Sequence, residues 1–179
     1  MKLFNTLALG FTKILVLGVI VISLGVYFMK FADGPWEMVP GGAFSQAAET
    51  TPDSWAFVKD QDTVEFQLLG PGTSRTSWIA EHNNRIFIPS AYMNSTFGKL
   101  WKHWPKRAEE NGAALLRIDD RVYTVHLTRI RDTQVLEPVL EELARKYMTA
   151  KPPMDAMLAQ VTNNDLWVFE LLNEPRQES

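Results

Sequence analysis

The hydrophobic pattern of the chain begins with one long apolar segment. Residues 14–29 (ILVLGVIVISLGVYFM) contain no charged residue, and the apolar character extends back to Leu7. A helix that crosses a bilayer needs roughly 20 apolar residues. We therefore predict one transmembrane helix within an N-terminal anchor over residues 1–32. The alternative is a cleaved signal peptide, but its apolar core would be shorter, and Lys30 is unfavourable just before a cut after Ala32.

The charges that flank this segment predict its orientation. Lys2, Lys13 and the amino terminus lie on the N-terminal side, whereas Lys30 stands alone on the other side. Positive residues are enriched on the cytoplasmic side of a membrane. We predict a single-pass protein of a bacterial inner (plasma) membrane, with a cytoplasmic N-terminus and a periplasmic domain.

Beyond the anchor, the pattern changes to short alternating runs that are typical of strands. In residues 63–69, the apolar Val64, Phe66 and Leu68 alternate with polar residues, and Gly-Pro-Gly closes the run. Five further runs predict strands at 76–81, 85–89, 114–118, 121–130 and 166–172. Tight turns at His82-Asn83-Asn84 and Asp119-Asp120 join neighbouring runs. Six strands suffice to close a small barrel.

Helical periodicity is weaker and occurs in three places. Residues 135–148 place Leu136, Val139, Leu140, Leu143 and Tyr147 on one stripe. Residues 95–111 also favour a helix, but Pro105 suits a first turn, so two short helices are an alternative. A further short helix is predicted near residues 154–160. The predicted class is mainly β with α (α+β), with a linker and lead-in over 33–62 and a barrel domain over 63–179.

Charge and composition exclude several functions. Residues 1–30 hold three of the 18 Lys and Arg residues and no acid, which leaves 15 basic and 21 acidic residues in 31–179, a net charge of −6. Nucleic-acid binding needs a basic face, so we predict none. The absence of Cys excludes disulfides, thiolate metal sites and a Cys nucleophile. His82, His103 and His126 lack metal-ligand spacing, and no catalytic motif is recognised, so no metal site and no catalytic residue are predicted.

One stretch combines basic and aromatic residues without any acid. Residues 90–107 (SAYMNSTFGKLWKHWPKR) contain four cations, Lys99, Lys102, Lys106 and Arg107, and four interleaved aromatic residues, Tyr92, Phe97, Trp101 and Trp104. A helix that begins near Ser95 would offer free N–H groups, with a lysine one turn later, to a phosphate or carboxylate. The aromatic rings could stack on a flat ligand. The alternative is a solvated basic face over core tryptophans, near anionic lipid headgroups.

Several runs together carry a family resemblance. They are WEMVPGGAFS, WAFVKD, EFQLLGPGTSRTSWIAEHNNRIFIPS, FGKLWKHWP and ALLRIDDRVYTVHLTRIRD, which span nearly all of residues 34–148. They resemble a group of bacterial membrane-anchored proteins related to the flavin-binding split-barrel superfamily. This superfamily includes pyridoxamine-phosphate-oxidase-like proteins and deazaflavin-dependent nitroreductases.

The resemblance implies a six-stranded split barrel that forms a homodimer, with FMN or a related flavin or deazaflavin at the subunit interface. In the superfamily, an Arg on an early strand and Ser and Lys residues after the third strand hold the flavin phosphate. The positions that match the phosphate-binding residues are Arg75, Ser77, Ser95 and Lys99, and Lys102 is a weaker match. Tyr92 and Trp101 are the expected neighbours of the flavin ring. The paired basic residues expected after the third strand are replaced by Tyr92-Met93-Asn94, and the C-terminal Arg/His motif is absent. These departures argue against a role in the pyridoxal pathway.

Two functions follow as expectations. The first is a membrane-anchored protein that binds a flavin-like anionic aromatic cofactor and, as an oxidoreductase, reduces a small acceptor such as a quinone or a nitro compound. The second is a cofactor-free, membrane-tethered interaction or assembly module whose basic-aromatic stretch contacts a partner protein in the membrane or lipid headgroups. The sequence leaves open whether the ligand is FMN, a deazaflavin, haem or none.

Overall fold

The computed structural model describes residues 2–96, 98 and 102–173, with side chains from residue 10 onward. Its first helix is α1 (Lys2–Met29), and a 3-10 turn follows at Ala56–Asp60. The strands are β1 (Thr63–Leu68), β2 (Thr73–Trp78), β3 (Ala80–His82), β4 (Arg85–Ser90), β5 (Ala113–Ile118), β6 (Arg121–Ile130) and β7 (Trp167–Asn173). The remaining helices are α2 (Trp104–Glu110), α3 (Thr133–Tyr147) and α4 (Met154–Thr162).

The strands form one antiparallel sheet that curls on itself. Its order is β2-β1-β5-β6-β7-β4-β3, so β2 and β3 are the two edges. Only Ile79 separates the end of β2 from the start of β3, and the two edges therefore lie one residue apart. The sheet therefore curls into a half-barrel whose two edges approach each other at this residue. This confirms the predicted α+β split barrel with flanking helices, although the described residues form seven strands and not six.

The extra strand arises because the single strand predicted over 76–81 is wrong. The backbone N–H of Ile79 donates to the hydroxyl of Tyr147 at 3.0 Å, and the ammonium of Lys146 donates to the Ile79 carbonyl at 2.9 Å. Both side chains come from α3, so no neighbouring strand uses these two backbone groups. The strand is interrupted at Ile79, and the chain passes from one edge of the sheet to the other.

Both tight turns are confirmed. Asn83 and Asn84 have φ angles of 52° and 61°, and Asp119 and Asp120 have 48° and 62°. These left-handed values are the ones that two-residue hairpin turns require, and Asn and Asp adopt them more readily than other non-glycine residues. Each turn sets the register of a β-hairpin, β3 with β4 and β5 with β6.

Two hydrophobic clusters lie on the two faces of the sheet. The barrel interior contains Phe66, Ile88, Leu116, Tyr123 and Phe169, and Trp104 of α2 belongs to the same cluster. The second cluster lies between the sheet and helices α3 and α4, and includes Phe87, Leu136, Leu140, Val161 and Val168. Each large apolar side chain buried in this way contributes about 1.5–3 kcal/mol. The apolar stripe predicted for α3 is thus its packing face.

Helix α1 has the length and composition of a membrane span. Residues Gly10–Met29 have a mean hydropathy of 2.2, and the protein buries none of this segment. By those criteria it is able to cross a bilayer. The orientation and the periplasmic location of the domain stay predictions.

The segment after α1 is tied to the barrel by contacts that we call the clasp, formed by residues 32–45 with Ser74 and Arg117. Gly41 and Ser74 exchange two backbone hydrogen bonds of 3.1 Å. The guanidinium of Arg117 forms ion pairs with Asp33 at 3.0 Å and with Glu65 at 2.5 Å. The clasp therefore joins the end of α1 to strands β1, β2 and β5. The domain boundary predicted at residue 63 stays a prediction.

Candidate functional site

Arg75 and Ser77 lie on the inward face of β2. Arg75 pairs with Phe66 of β1, and Ser77 pairs with Val64. Residues directly opposite each other in an antiparallel pair project from the same face of the sheet. Phe66 and Val64 belong to the barrel interior, so Arg75 and Ser77 lie along the same side, and both are half-buried. The structure thus brings these two predicted residues together.

Arg75 differs from most arginines of the protein in its partners. Among the described residues, six arginines form ion pairs with carboxylates: Arg85, Arg117, Arg121, Arg129, Arg131 and Arg145. Arg75 and Arg107 are the two described arginines without such a partner. Burial lowers the pKa of the Arg75 guanidinium, and the positive charge of Arg107 lowers it further. The charge of Arg107 therefore acts on Arg75, and neither guanidinium has a carboxylate partner in the described part of the chain.

Arg107 was not among the residues expected to bind the ligand phosphate. It lies on α2, one turn after Trp104, whose ring centroid is 4.8 Å from that of Phe66. Phe66 is the cross-strand partner of Arg75, which explains how α2 brings a second arginine towards β2. The sequence signal was present in the acid-free stretch 90–107, but it did not distinguish Arg107 from the lysines.

Ser95 precedes Thr96 and Gly98, which have helical backbone, and its side chain is used to cap this helical turn. Its hydroxyl donates to the Tyr92 carbonyl at 2.8 Å and accepts from the Gly98 N–H at 2.9 Å. This is the arrangement by which Ser satisfies a free N–H in the first turn of a helix. A Cβ atom on Gly98 would lie 1.9 Å from the Tyr92 carbonyl oxygen, so the tight turn requires glycine there. The Ser95 hydroxyl therefore stabilises the loop from within.

Lys102 is also used inside the protein. Its ammonium donates to the Ala91 carbonyl at 2.7 Å and lies 5.9 Å from the ring centroid of Tyr92. Burial lowers the pKa of Lys102, although the carboxylate of Asp165 acts in the opposite direction. Tyr92 itself is 69% exposed and has a φ of 61°. A non-glycine residue in this conformation is held there by its surroundings.

The predicted residues thus fall into two sets, Arg75 with Ser77 on β2, and Tyr92, Ser95 and Lys102 in the loop after β4. Lys99 and Trp101 lie outside the described residues. Over the described ranges, no group of three or more His, Asp and Glu side chains is placed to hold a metal ion.

An anionic ligand fits the first set better than the second. A half-buried arginine without a carboxylate partner gains a favourable interaction from a bound anion, and its planar fork matches phosphate oxygens. A hydroxyl on the same face, from Ser77, supplies a further donor. By contrast, Ser95 and Lys102 already have partners within the protein. Arg75, Ser77 and Arg107 are therefore the described residues best suited to hold a phosphate.

Comparisons with known proteins found similarity at the level of structure alone. No protein-family model matches the sequence, and no curated protein matches it significantly.

Several solved structures are similar to the chain, and three of them are described here. The first is a conserved hypothetical protein of Mycobacterium tuberculosis, with a TM-score of 0.49, 10% identity, and coverage of 66% of this chain and 77% of that one. A putative pyridoxamine 5′-phosphate oxidase of Listeria innocua has a TM-score of 0.45, 12% identity, and coverage of 67% and 90%. The heme storage protein HutZ of Vibrio cholerae has a TM-score of 0.45, 13% identity, and coverage of 67% and 87%.

Proposed function

We propose that this protein is a membrane-anchored split barrel that binds the phosphate of a flavin-type cofactor through Arg75 and Arg107. The observation that carries this proposal is the pair of arginines without carboxylate partners among the described residues, one of them half-buried on the inward face of β2. The sequence resemblance to the flavin-binding superfamily, in which an early-strand Arg contacts the flavin phosphate, supports the same position. The apolar helix α1 supplies the anchor.

The charge balance explains why an anion would bind here. Two nearby guanidinium groups repel each other, and burial adds a desolvation cost to Arg75. A phosphate monoester carries about −1.5 to −2 charges near neutral pH and offers three acceptor oxygens. Its binding would relieve the repulsion and replace the water lost by Arg75. Ser77 would add a neutral hydrogen bond without changing the net charge.

The chemistry of such a site would come from the cofactor, and a bound flavin would supply electron or hydride transfer to a small acceptor. The residues of this chain bind and orient the ligand and exclude water. Arg75 and Arg107 hold the phosphate end. Trp104 and Phe66, whose rings are in edge contact, form the apolar wall next to Arg75.

The test compares two ligands that share a ring system but differ in their phosphate. FMN and riboflavin are titrated against the full-length protein in detergent, and binding is followed by flavin fluorescence. We expect FMN to bind more tightly than riboflavin. Arg75→Ala should weaken FMN binding by about 10- to 150-fold, which corresponds to a lost charged hydrogen bond of about 1.5–3 kcal/mol. Riboflavin binding should change little.

Arg121→Ala is the matched control, because Arg121 is exposed and paired with Glu49 on the surface. It should leave FMN affinity unchanged. Equal affinities for FMN and riboflavin in the wild-type protein would contradict the phosphate assignment. No binding of either ligand, with the fold intact by circular dichroism, would instead favour the cofactor-free interaction module.

A further inference from the structure

The turn that follows α1 leaves large apolar side chains uncovered. Trp36 and Val39 exchange backbone hydrogen bonds of 3.0 and 2.8 Å around a two-residue turn, in which Glu37 has a φ of 49°. The side chains of Trp36 and Met38 are 67% and 93% exposed, and Phe31, just before the turn, is 70% exposed. Neighbouring apolar side chains that are this exposed mark a surface that another phase or molecule covers.

The base of this turn is fixed beside the end of α1. The N–H of Gly42 donates to the carbonyl of Ala32 at 3.1 Å, and Ala32 donates in turn to the carbonyl of Met29 at 3.0 Å. A Cβ atom on Gly41 would lie 1.7 Å from the carbonyl oxygen of Gly34, so the segments that enter and leave the turn are in backbone contact. The segment that leads into the turn is therefore held, through Ala32, beside the last residue of the apolar span.

The clasp also fixes this base to the barrel. Gly41 is hydrogen-bonded to Ser74 of β2, and the hydroxyl of Ser74 donates to the Gly42 carbonyl at 2.6 Å. Asp33, at the other side of the base, is held by Arg117 and by Ser45, whose hydroxyl donates to its carboxylate at 2.6 Å. The turn, the end of α1 and the barrel are therefore held in one arrangement.

The dimensions allow the tip of the turn to lie at headgroup level. The tip of loop 35–40 is about three residues from either end of the loop. It can therefore extend at most about 10 Å from those ends. The polar layer on each side of the hydrocarbon core is about 5–8 Å thick. The reach of the loop and the thickness of the polar layer are comparable. A loop that starts near the end of a spanning helix can therefore lie within the polar layer next to that helix end.

We propose that residues 36–38 form a second membrane contact, in which Trp36 and Met38 enter the interfacial layer of the leaflet where α1 ends. This inference rests on the membrane anchoring in the proposed function. Trp is favoured in that layer because its ring is apolar and its indole N–H is polar. Lys30, whose ammonium lies 3.6 Å from the ring centroid of Tyr27, supplies a cation at the same level for anionic headgroups.

The absence of Cys allows a direct test, because each introduced cysteine carries the only spin label in the chain. The full-length protein is labelled at Met38→Cys, at Val19→Cys within α1, or at Met148→Cys. Met148 is the matched control, an exposed methionine that follows α3. In vesicles of phosphatidylcholine and phosphatidylglycerol, collision rates are measured with oxygen, which concentrates in lipid, and with a water-soluble nickel chelate. The ratio of the two rates reports depth.

We expect the oxygen-to-nickel ratio to be highest at Val19, intermediate at Met38 and lowest at Met148, with at least a several-fold difference between the two methionine sites. Trp36→Ser should lower the ratio at Met38 towards that at Met148. A high ratio at Val19 with equal ratios at the two methionine sites would overturn this inference and leave the anchor intact. A Met38 ratio unaffected by Trp36→Ser would also overturn it, because the label alone would then explain the insertion. A low ratio at Val19 would overturn the anchor itself.

Discussion

The hydroxyl oxygen of Tyr147 lies 3.0 Å from the backbone nitrogen of Ile79 and 2.7 Å from its carbonyl oxygen. Ile79 is fully buried and is the one residue between the two edge strands β2 and β3. The last turn of α3 therefore satisfies the backbone at the point where the two edges of the curled sheet meet. Lys146 adds a hydrogen bond to the same carbonyl and another to the carbonyl of Gln61.

Replacing this tyrosine should destabilise the fold at the closure. Tyr147→Phe removes the acceptor for the buried N–H of Ile79, and an unsatisfied buried backbone group costs about 1–3 kcal/mol. We expect a fall of several degrees in the thermal unfolding midpoint of the full-length protein in detergent. Tyr92→Phe is the control, because the exposed Tyr92 side chain should contribute little. Equal midpoints for the two variants would show that Tyr147 has no such role.

Ionisation of the same tyrosine should reduce the stability of the fold at alkaline pH. Burial raises the pKa of Tyr147 from 10 to about 12, because the buried phenolate would lose its hydration. The folded state thus holds this proton more tightly than the unfolded state. The resulting stability is fully present below pH 10 and is lost as the pH rises towards about 12. The difference in stability between the wild-type protein and Tyr147→Phe should shrink over that interval, as measured by chemical unfolding at each pH. A constant difference would contradict the raised pKa.

Arg85 should contribute more to the free energy of unfolding than an exposed surface arginine does. It forms two hydrogen bonds with Glu170, from Nε at 2.5 Å and from Nη2 at 2.6 Å, and the side chain of Glu170 is only 8% exposed. Arg85→Ala leaves this carboxylate buried without a counter-charge, which should cost about 3 kcal/mol, the lower end for buried pairs because Arg85 is partly exposed. Arg121→Ala should cost much less, because its ion pair with Glu49 is exposed to solvent. Chemical unfolding of both variants provides the comparison.

A double variant distinguishes two causes of the lost stability: a buried carboxylate without a counter-charge, and the loss of side-chain packing. Arg85→Leu with Glu170→Leu removes both charges and keeps apolar volume, so it should be more stable than Arg85→Ala. If the double variant were less stable than Arg85→Ala, the burial of Glu170 would not be the cause of the loss.

The clasp should depend on glycine at position 34. Gly34 has a φ of +91°, and a Cβ atom there would lie 1.8 Å from Nη2 of Arg117. Gly34→Ala should therefore weaken the clasp and cost about 1–3 kcal/mol. Limited proteolysis of the full-length protein should show faster cleavage between residues 30 and 45. Gly70→Ala is the control, because nothing lies within 4 Å of a Cβ atom at that position. Equal cleavage rates would show that the clasp tolerates the change.

The parts of the fold that local sequence determines were predictable. The Asn83-Asn84 and Asp119-Asp120 turns depend on residues that tolerate left-handed backbone, and α3 depends on an apolar stripe within one helix. The break at Ile79 depends on hydrogen bonds with Tyr147, which is 68 residues away. The alternation of residue types within a strand does not indicate such a distant partner.

The candidate site was predictable only in part for the same reason. Arg75 could be proposed from the family resemblance, but its lack of a carboxylate partner could not. Which arginines form ion pairs depends on contacts between residues far apart in sequence, such as Arg117 with Asp33, 84 residues earlier. Ser95 has the residue type of a phosphate ligand and of a helix cap. The bonds of its hydroxyl to Tyr92 and Gly98 identify the second use.

The strand order also sets when the barrel can be completed during synthesis. Strand β7, the last of the strands in the described residues, lies between β6 and β4 in the sheet. The hairpins β1–β2, β3–β4 and β5–β6 can form from residues close in sequence, but β4 finds its second neighbour only after residues 167–173 have left the ribosome. Until then, β6 and β4 both present unpaired backbone edges. A chain that stops before Trp167 would retain those two edges and offer them to other strands, which makes C-terminal truncation a route to aggregation.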